Sequence, residues 1–358
     1  MDKNISIIVP TYNERDNITA LVEKVHSVLA GEDYEIVVID DNSRDGTAEL
    51  ALSLSARYPV RVVVRRKERG LASAVVEGFK QSNSRIIGVM DADLQHPPET
   101  IPGLLKALEG GADIAIASRY VEGGKLPGWG LTRRLLSKGA IFLAHLLLPS
   151  TRQVGDPMSG FFVLQRQVVA QADLIPTGYK ILLEVLALGR FQKITEVPYT
   201  FTSRSRGESK LGIRQELEYL KHIFSLMKRK GELARFGKFC LVGASGVVVN
   251  EGLLWLLRQF GGLPLALASA ISVEAAIISN YTFNDYFTFR DRRLPGARPF
   301  LTRLVKFNLI SLGGLGLNIG VLLLFTHAFG FHYLLANLCG IAVAILWNYF
   351  VNFWWTWQ

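Results

Sequence analysis

Hydropathy and charge change abruptly near residue 235, and no single water-soluble fold accommodates both sides of that break. Residues 1–235 hold 32 Lys and Arg and 27 Asp and Glu, about a quarter of the positions, as in an ordinary soluble domain. Residues 236–358 hold only 8 and 4. In this second part four apolar stretches, roughly 236–257, 265–289, 304–327 and 334–357, each reach the ~20 residues a helix needs to cross a bilayer core. A buried helical domain of a large soluble protein is the rival reading. Four such stretches in succession, with so few charges, speak against it. The chain therefore reads as a soluble domain followed by a membrane domain.

Orientation follows from the connections. The middle connection carries Arg290, Arg292, Arg293, Arg298 and Arg303, whereas the other two hold only Arg258. The positive-inside rule places the middle connection, the soluble domain and Gln358 on the cytoplasmic side of a multi-pass cell-membrane protein. Trp354, Trp355 and Trp357 are expected at that interface as aromatic anchors. The residues ahead of the apolar run 5–9 are too few and too polar for a secretory signal. Two cysteines exclude a disulfide scaffold, and Cys240 and Cys339 read as packing residues. The net charge of +9 gathers at the expected membrane surface, so anionic lipid rather than nucleic acid is the expected partner.

The spans repeat. Lys238-Phe239 matches Lys306-Phe307, Asn250 and Gly252 match Asn318 and Gly320, and Leu267-Ala268 matches Leu335-Ala336. Asn280-Tyr281 and Asn284 match Asn348-Tyr349 and Asn352. Every pair is 68 residues apart, as in a duplicated helical hairpin with both copies in one orientation. The repeated Asn residues read as interhelical hydrogen-bond glue, with a ligand role as the alternative. Glu251 and Glu274 fall at no repeated position, and an ionisable residue within a span is a functional candidate.

The first 120 residues alternate strand and helix patterns. Buried runs at 5–9, 35–39, 60–64, 86–90 and 114–117 read as strands, and 18–29, 47–54 and 73–79 as helices, with Asn17 as an N-cap. Such alternation implies a mostly parallel sheet covered on both faces, with ligands outside the carboxyl ends of the strands. Those ends are polar and acidic: Pro10 to Glu14, Asp40 to Ser43, and Asp91 to His96. No GxGxxG follows the first strand and no GxxxxGK[ST] occurs, so neither a dinucleotide fold nor a P-loop is supported. Asp91 and Asp93, one residue apart at a strand end, suit a hard divalent cation that holds a diphosphate, with Gln95 as a neutral oxygen ligand. A solvated turn or a pair of caps is the plainer alternative.

The ordered series Val9 to Glu14, Asp40 to Ser43, Asp45-Gly46-Thr47 and Met90 to Pro98 resembles the family 2 glycosyltransferases of GT-A fold. Gly70-Leu71, the stretch from Gly111 to Arg119-Tyr120, Asp156 to Phe162 and Arg206 to Lys210 extend the likeness to the polyprenyl-phosphate (dolichyl-phosphate) mannose synthases. The second half resembles the GtrA-like four-helix domain fused to some of them. The implied architecture is an α/β GT-A domain over residues 1–211, an amphipathic interfacial helix over 212–234, and a transmembrane domain of two tandem hairpins over 235–358.

The resemblance also implies roles. Pro10, Tyr12, Glu14 and Asp41 would line the nucleotide pocket, and Ala92 and Lys210 would join the nucleotide-sugar site. Asp91, Asp93 and Gln95 would hold Mg²⁺ or Mn²⁺ on the donor diphosphate. Arg119, Arg133, Ser137 and Arg206 would bind the acceptor phosphate, and Asp93, Arg119 and Arg206 would be catalytic. The implied reaction is inverting transfer of mannose from GDP-mannose to a polyprenyl (dolichyl) phosphate. A UDP-glucose-dependent enzyme acting on the same acceptor is the alternative, and a non-catalytic lipid carrier or flippase the second. A processive polysaccharide synthase ranks last, because no QxxRW-like segment occurs. A phosphomonoester acceptor is already anionic at neutral pH, so His96 need not be a base and reads as a loop or supporting residue.

Residues 131–148 and 213–230 are apolar on one side, basic on the other and too short to span. They read as helices lying in the membrane interface, against the alternative of ordinary surface helices. The polar segment 202–210 reads as a loop that closes over substrate.

Overall fold

The computed structural model describes residues 4–175, 178–202 and 213–358. The chain forms two compact units that divide between residues 230 and 231.

The first unit is a seven-stranded sheet in the order β3-β2-β1-β4-β6-β5-β7. Its elements are β1 (Ile5–Thr11), α1 (Arg15–Val28), β2 (Tyr34–Asp40), α2 (Thr47–Leu54), β3 (Val60–Val64), α3 (Leu71–Gln81) and β4 (Ile86–Val89). They are followed by α4 (Ile101–Glu109), β5 (Ile114–Ser118), α5 (Leu131–Leu147), β6 (Phe162–Gln165), α6 (Ile181–Leu188), β7 (Ile194–Pro198) and α7 (Ile213–Arg229). β1 pairs in parallel with both β2 and β4. β6 runs antiparallel between β4 and β5. The side-chain period of two divides each central strand between two cores. Ile7 and Val9 of β1 join α1 and α4 on one face, and Ile8 joins α3 and α6 on the other.

Strand order reverses direction at β1, where β2 lies on one side and β4 on the other. The crevice beyond the carboxyl ends of β1 and β4 is thus the topological switch point, the usual ligand position in an open α/β sheet. All five expected strands are present, whereas β6 and β7 carried no signal. One local expectation is corrected. The first helix starts at Arg15 with Glu14 at the cap position, and Asn17 lies inside the first turn, its Nδ2 donating to Glu14 Oε2 at 2.7 Å.

The second unit consists of four helices long and apolar enough to cross a membrane. They are α8 (Glu232–Gln259), α9 (Leu265–Phe283), α10 (Ala297–His327) and α11 (Tyr333–Val351). α9 and α11 each end in a π-helical turn, Asn284–Thr288 and Asn352–Thr356, 68 residues apart like the sequence repeat. α8 packs on α9 and α10 on α11.

Two expectations fail here. Trp357 is not an interfacial anchor. It is fully buried, stacks on Phe289 at 4.3 Å and donates its indole N–H to Asp285 Oδ1 at 2.9 Å, because the π turn rotates it inward. The repeated Asn residues do not act chiefly as hydrogen-bond glue. Among the described residues, the Oδ1 atoms of Asn250, Asn280, Asn318 and Asn348 have no hydrogen-bond partner. Asn280 instead fills a notch at Gly246, and Asn348 the equivalent notch at Gly314. A Cβ on either glycine would come within 2.4 Å and 2.6 Å of those amides. Of the two acidic candidates, Glu274 accepts from Asn308 Nδ2 at 2.8 Å and Glu251 from Asn250 Nδ2 at 3.1 Å.

Candidate active site

The loops after β1, β2 and β4 hold the only three non-glycine residues with positive φ among those described: Asn13, Asn42 and Leu94. Asn tolerates that region, but Leu does not do so readily, and such outliers concentrate where a loop is over-determined. Leu94 (φ 58°) lies between Asp93 and Gln95, and the reversal it makes lets Gln95 N–H donate to Asp93 Oδ1 at 3.1 Å. Asp93 is buried, as is Ala92. The Asp91 side chain is 34% exposed and so faces the crevice.

His96 closes this loop from beneath. Its Nδ1 accepts the Asp91 N–H at 3.1 Å, and its ring stacks on Phe161 and meets Tyr199 and Phe201 edge-on. Burial pushes the imidazole down to about 4. At neutral pH it is uncharged, and its 3.7 Å approach to Asp91 Oδ2 is not an ion pair. His96 therefore supports the loop, in line with its reading as a supporting residue.

Pro10 is the buried penultimate residue of β1, and Tyr12 is exposed just beyond the strand with Arg69 over its ring at 5.3 Å. Glu14 N–H donates to Thr47 Oγ1 at 3.0 Å, which ties the β1 loop to the β2 loop. Asp41 is buried. Its Oδ1 accepts from Arg65 Nε and its Oδ2 from Gly70 N–H, both at 2.7 Å, so it also anchors the turn into α3. Asp40 is structural, bound to Thr11 and Ser43.

Arg119, just past β5, is gripped by Asp156 through Nε (2.7 Å) and Nη2 (2.8 Å), and both residues are buried. Burial alone would lower the Arg119 pKa, but the Asp156 hydrogen bonds and charge outweigh it and hold the guanidinium above its ordinary value. The fork uses one edge of the group, and Nη1 stands at the other. Asp156 is fixed in turn by Glu196, which accepts from the N–H groups of Gly155 and Asp156 at 2.7 and 3.1 Å. Around Arg119 stand Tyr120, Trp129 and Phe201, with centroids at 5.5–5.8 Å. Arg133 on α5 stacks over the other sharer of this cage, Trp129, at 4.0 Å. Ser137, one turn further, accepts from Tyr120 O–H at 2.8 Å. Arg119, Arg133 and Ser137 thus gather around one aromatic cage. Arg206 and Lys210 lie outside the described residues, as does most of the expected loop 202–210.

Sequence reasoning missed Lys180, whose Nζ donates to Met158 O at 3.1 Å and whose charge bears on His96. No motif marks it. The roles of Asp156 and Glu196 were also unassigned. Among the described residues no group of three or more His, Cys, Asp or Glu could hold a metal by itself. Two carboxylates and an amide are nonetheless the donor set of a Mg²⁺-type site that draws its other oxygens from a substrate phosphate.

Residues 6–171 match the glycosyl transferase family 2 domain, and residues 238–357 match the GtrA/DPMS transmembrane domain. The dolichol-phosphate mannosyltransferase of Pyrococcus furiosus is 48% identical over 355 residues, 99% of each chain. That of Mycosarcoma maydis is 40% identical over 235 residues, 62% of this chain and 79% of the other. Among solved structures, glucosyl-3-phosphoglycerate synthase of Mycobacterium tuberculosis, in complex with Mn²⁺, UDP-glucose and phosphoglyceric acid, aligns with a TM-score of 0.50. The match is 22% identical and covers 64% of this chain and 80% of that one, a likeness of fold. The chain belongs to glycosyl transferase family 2, among the members that join a GT-A domain to a GtrA/DPMS transmembrane domain.

Proposed function

We propose that the protein transfers mannose from GDP-mannose to the phosphate of a polyprenyl (dolichyl) lipid, with inversion, at the cytoplasmic face of the membrane. The observation that carries this reading is the juxtaposition at one sheet edge. The Asp91/Asp93 loop opens at the switch point, and the Arg119 cage with Arg133 and Ser137 provides a cationic seat for a second anion. The sugar and the acceptor are those named for the relative that shares almost the full length of the chain.

A divalent cation held by Asp91, Asp93 and Gln95 would supply the charge neutralisation that a leaving diphosphate requires. The acceptor phosphate needs no strong base. One of its oxygens forms the new bond to the sugar C1 while the C1–O bond to the diphosphate breaks and its electron pair leaves with the nucleotide. An α-linked donor then gives a β-linked lipid-phosphate sugar. Arg119 orients the attacking phosphate from a fixed position, since Asp156 removes its rotational freedom. Thr202 bonds to Leu94 O and exchanges bonds with Gln95, so Thr202 itself is tied to the Asp91 loop.

The basic middle connection between the spans supports a cytoplasmic first unit. Exposed Leu131, Leu135 and Phe142 on α5, and Leu217, Leu220 and Phe224 on α7, support contact with the headgroup layer.

The test is sugar transfer by the purified full chain in detergent to a short-chain polyprenyl phosphate. GDP-mannose and UDP-glucose run side by side, with Mn²⁺, Mg²⁺ or EDTA. Metal-dependent mannosyl lipid from GDP-mannose alone is expected, with Asp91→Ala about 100-fold slower or worse. Product from UDP-glucose alone changes the donor and keeps the mechanism. A folded protein inactive with both donors, or an active Asp91→Ala, overturns the reading.

A further inference from the structure

The second unit carries its own internal comparison. Residues 68 apart occupy equivalent places in the two hairpins, so a difference between equivalents marks a place where the copies diverged. Arg235 and Arg303 are such a pair. Arg235 is closed off by carboxylates: its Nη1 bonds both oxygens of Glu232 at 2.8–2.9 Å, and its Nη2 bonds Asp291 Oδ2 at 2.7 Å. Arg303 is paired more loosely, with Asp285 alone. Phe300 stands where the first copy has Glu232. Arg303 is 6% exposed, and its Nη2 donates to Arg292 O at 3.0 Å. Its Nη1 makes no hydrogen bond and lies 3.6 Å from Asp285 Oδ1, an oxygen already taken by Trp357.

Arg303 lines a pocket of about 370 Å³ where α10 begins and α11 ends. Arg298 and Lys306 line it too, with Leu294, Thr302 and Trp355, and no Asp or Glu side chain does. Lys306 Nζ lies 5.4 Å from the Trp355 ring centroid and donates to Trp355 O at 3.2 Å, so the aromatic side positions one cation. Three cations around an open cavity with no carboxylate in its lining make a seat for an anion. The pocket lies at the end of two spanning helices, where the anions at hand are lipid headgroups. Basic pockets between transmembrane helices bind such groups.

We infer that this pocket is a binding site for a phosphoester anion, the headgroup of an anionic lipid, seated on Arg298, Arg303 and Lys306. In the first hairpin Glu232 closes off the equivalent arginine, whereas Phe300 in the second leaves Arg303 with Asp285 alone. The site belongs to the helical unit and does not rest on the transferase reading.

The test is native mass spectrometry of the full chain in detergent. Four probes are titrated separately: phosphatidylglycerol, phosphatidylcholine, a short-chain polyprenyl phosphate and inorganic phosphate. Phosphatidylglycerol is expected to be retained in preference to phosphatidylcholine. Retention should fall about fivefold for each cation removed, hence about 25-fold in Arg298→Gln/Lys306→Gln. Lys238→Gln, the equivalent change in the first hairpin, should stay within about twofold of wild type. Pocket-dependent retention of polyprenyl phosphate alone, or of inorganic phosphate alone, keeps the anion site and changes its source. Loss of no phosphate probe in the double variant overturns the inference, as does an equal loss in Lys238→Gln. Arg298 is exposed, so the single Arg298→Gln carries the test if the double variant does not fold.

Discussion

Gly160 is a position where the absence of a side chain decides the geometry of the site. A Cβ there would stand 3.2 Å from both Asp91 Oδ2 and His96 Cε1, so an added methyl would push the half-buried carboxylate off its seat. The segment from Asp156 to Phe161 is in this sense a floor. Asp156 holds Arg119, Gly160 admits Asp91, and Phe161 supports the neutral His96. Gly160→Ala should leave the fold intact, because the neighbours need to shift only by tenths of an ångström. Turnover should drop about tenfold or more, since small displacements of reacting groups are costly. Steady-state kinetics with a metal titration check this. A rise in the metal concentration needed for half-maximal rate is expected with the lower kcat, and unchanged values of both would show that Gly160 does not position Asp91.

At the scale of elements, α7 is apolar on two sides. Tyr219, Ile223 and Leu226 are buried, and Tyr219 O–H donates to Ala140 O on α5. Leu217, Leu220 and Phe224 lie within about 60° of one another on the opposite side at 100° per residue, and all are exposed. An exposed apolar stripe on an otherwise packed helix marks an interaction surface. Leu220→Ser/Phe224→Ser should raise the KM for a long-chain acceptor in bilayers by about 100-fold or more, at about 1.5–3 kcal/mol of apolar contact per side chain. The kcat with a short acceptor in detergent should not change. Equal loss in both assays would assign the stripe to folding instead. This doubleness was not legible in the sequence, where 213–230 read as a single amphipathic face. The parallel half of the sheet was legible, because β1, β2 and β4 are largely buried apolar runs that lead into acidic loops. β6 and β7 were not. β6 has only four residues and pairs antiparallel with partners 73–79 positions away, Ile86 with Gln165 among them, while β7 is only half-buried and shows no clean run. The carboxylate pair could be read because it follows a strand. Lys180 precedes a helix without any pattern, and only the tertiary fold brings its charge to bear on His96.

In the helical unit the duplication sets the packing as well as the sequence. Phe239 meets Tyr349 at 5.4 Å, and Phe307 meets Tyr281 at 5.8 Å, so each contact across the hairpins is answered by its counterpart with the copies exchanged. That reciprocity is the mark of a two-fold arrangement, here within one chain. Phe289 and Trp357 are equivalent to each other and stack face to face at 4.3 Å and 11°, which places the pair on the pseudo-two-fold axis. The symmetry breaks one residue layer away. Asp285 accepts the Trp357 indole N–H and faces Arg293 and Arg303, whereas its equivalent, Phe353, lies under Arg235 and Arg292. A tryptophan at 289 would therefore aim its N–H at a ring. Phe289→Trp alone should cost about 1–3 kcal/mol for the unsatisfied donor. Phe353→Asp alone buries a carboxylate, though with two arginines already in place. Together they rebuild the Asp285–Trp357 pair with the two copies exchanged, so the double variant should be more stable than the sum of the two losses predicts, by about 0.5–3 kcal/mol. Thermal unfolding of the full chain in detergent, run on wild type, both single variants and the double, measures that coupling. Losses that simply add would show that the arginines on the first hairpin cannot take up a carboxylate, and that the two copies no longer share an interchangeable core.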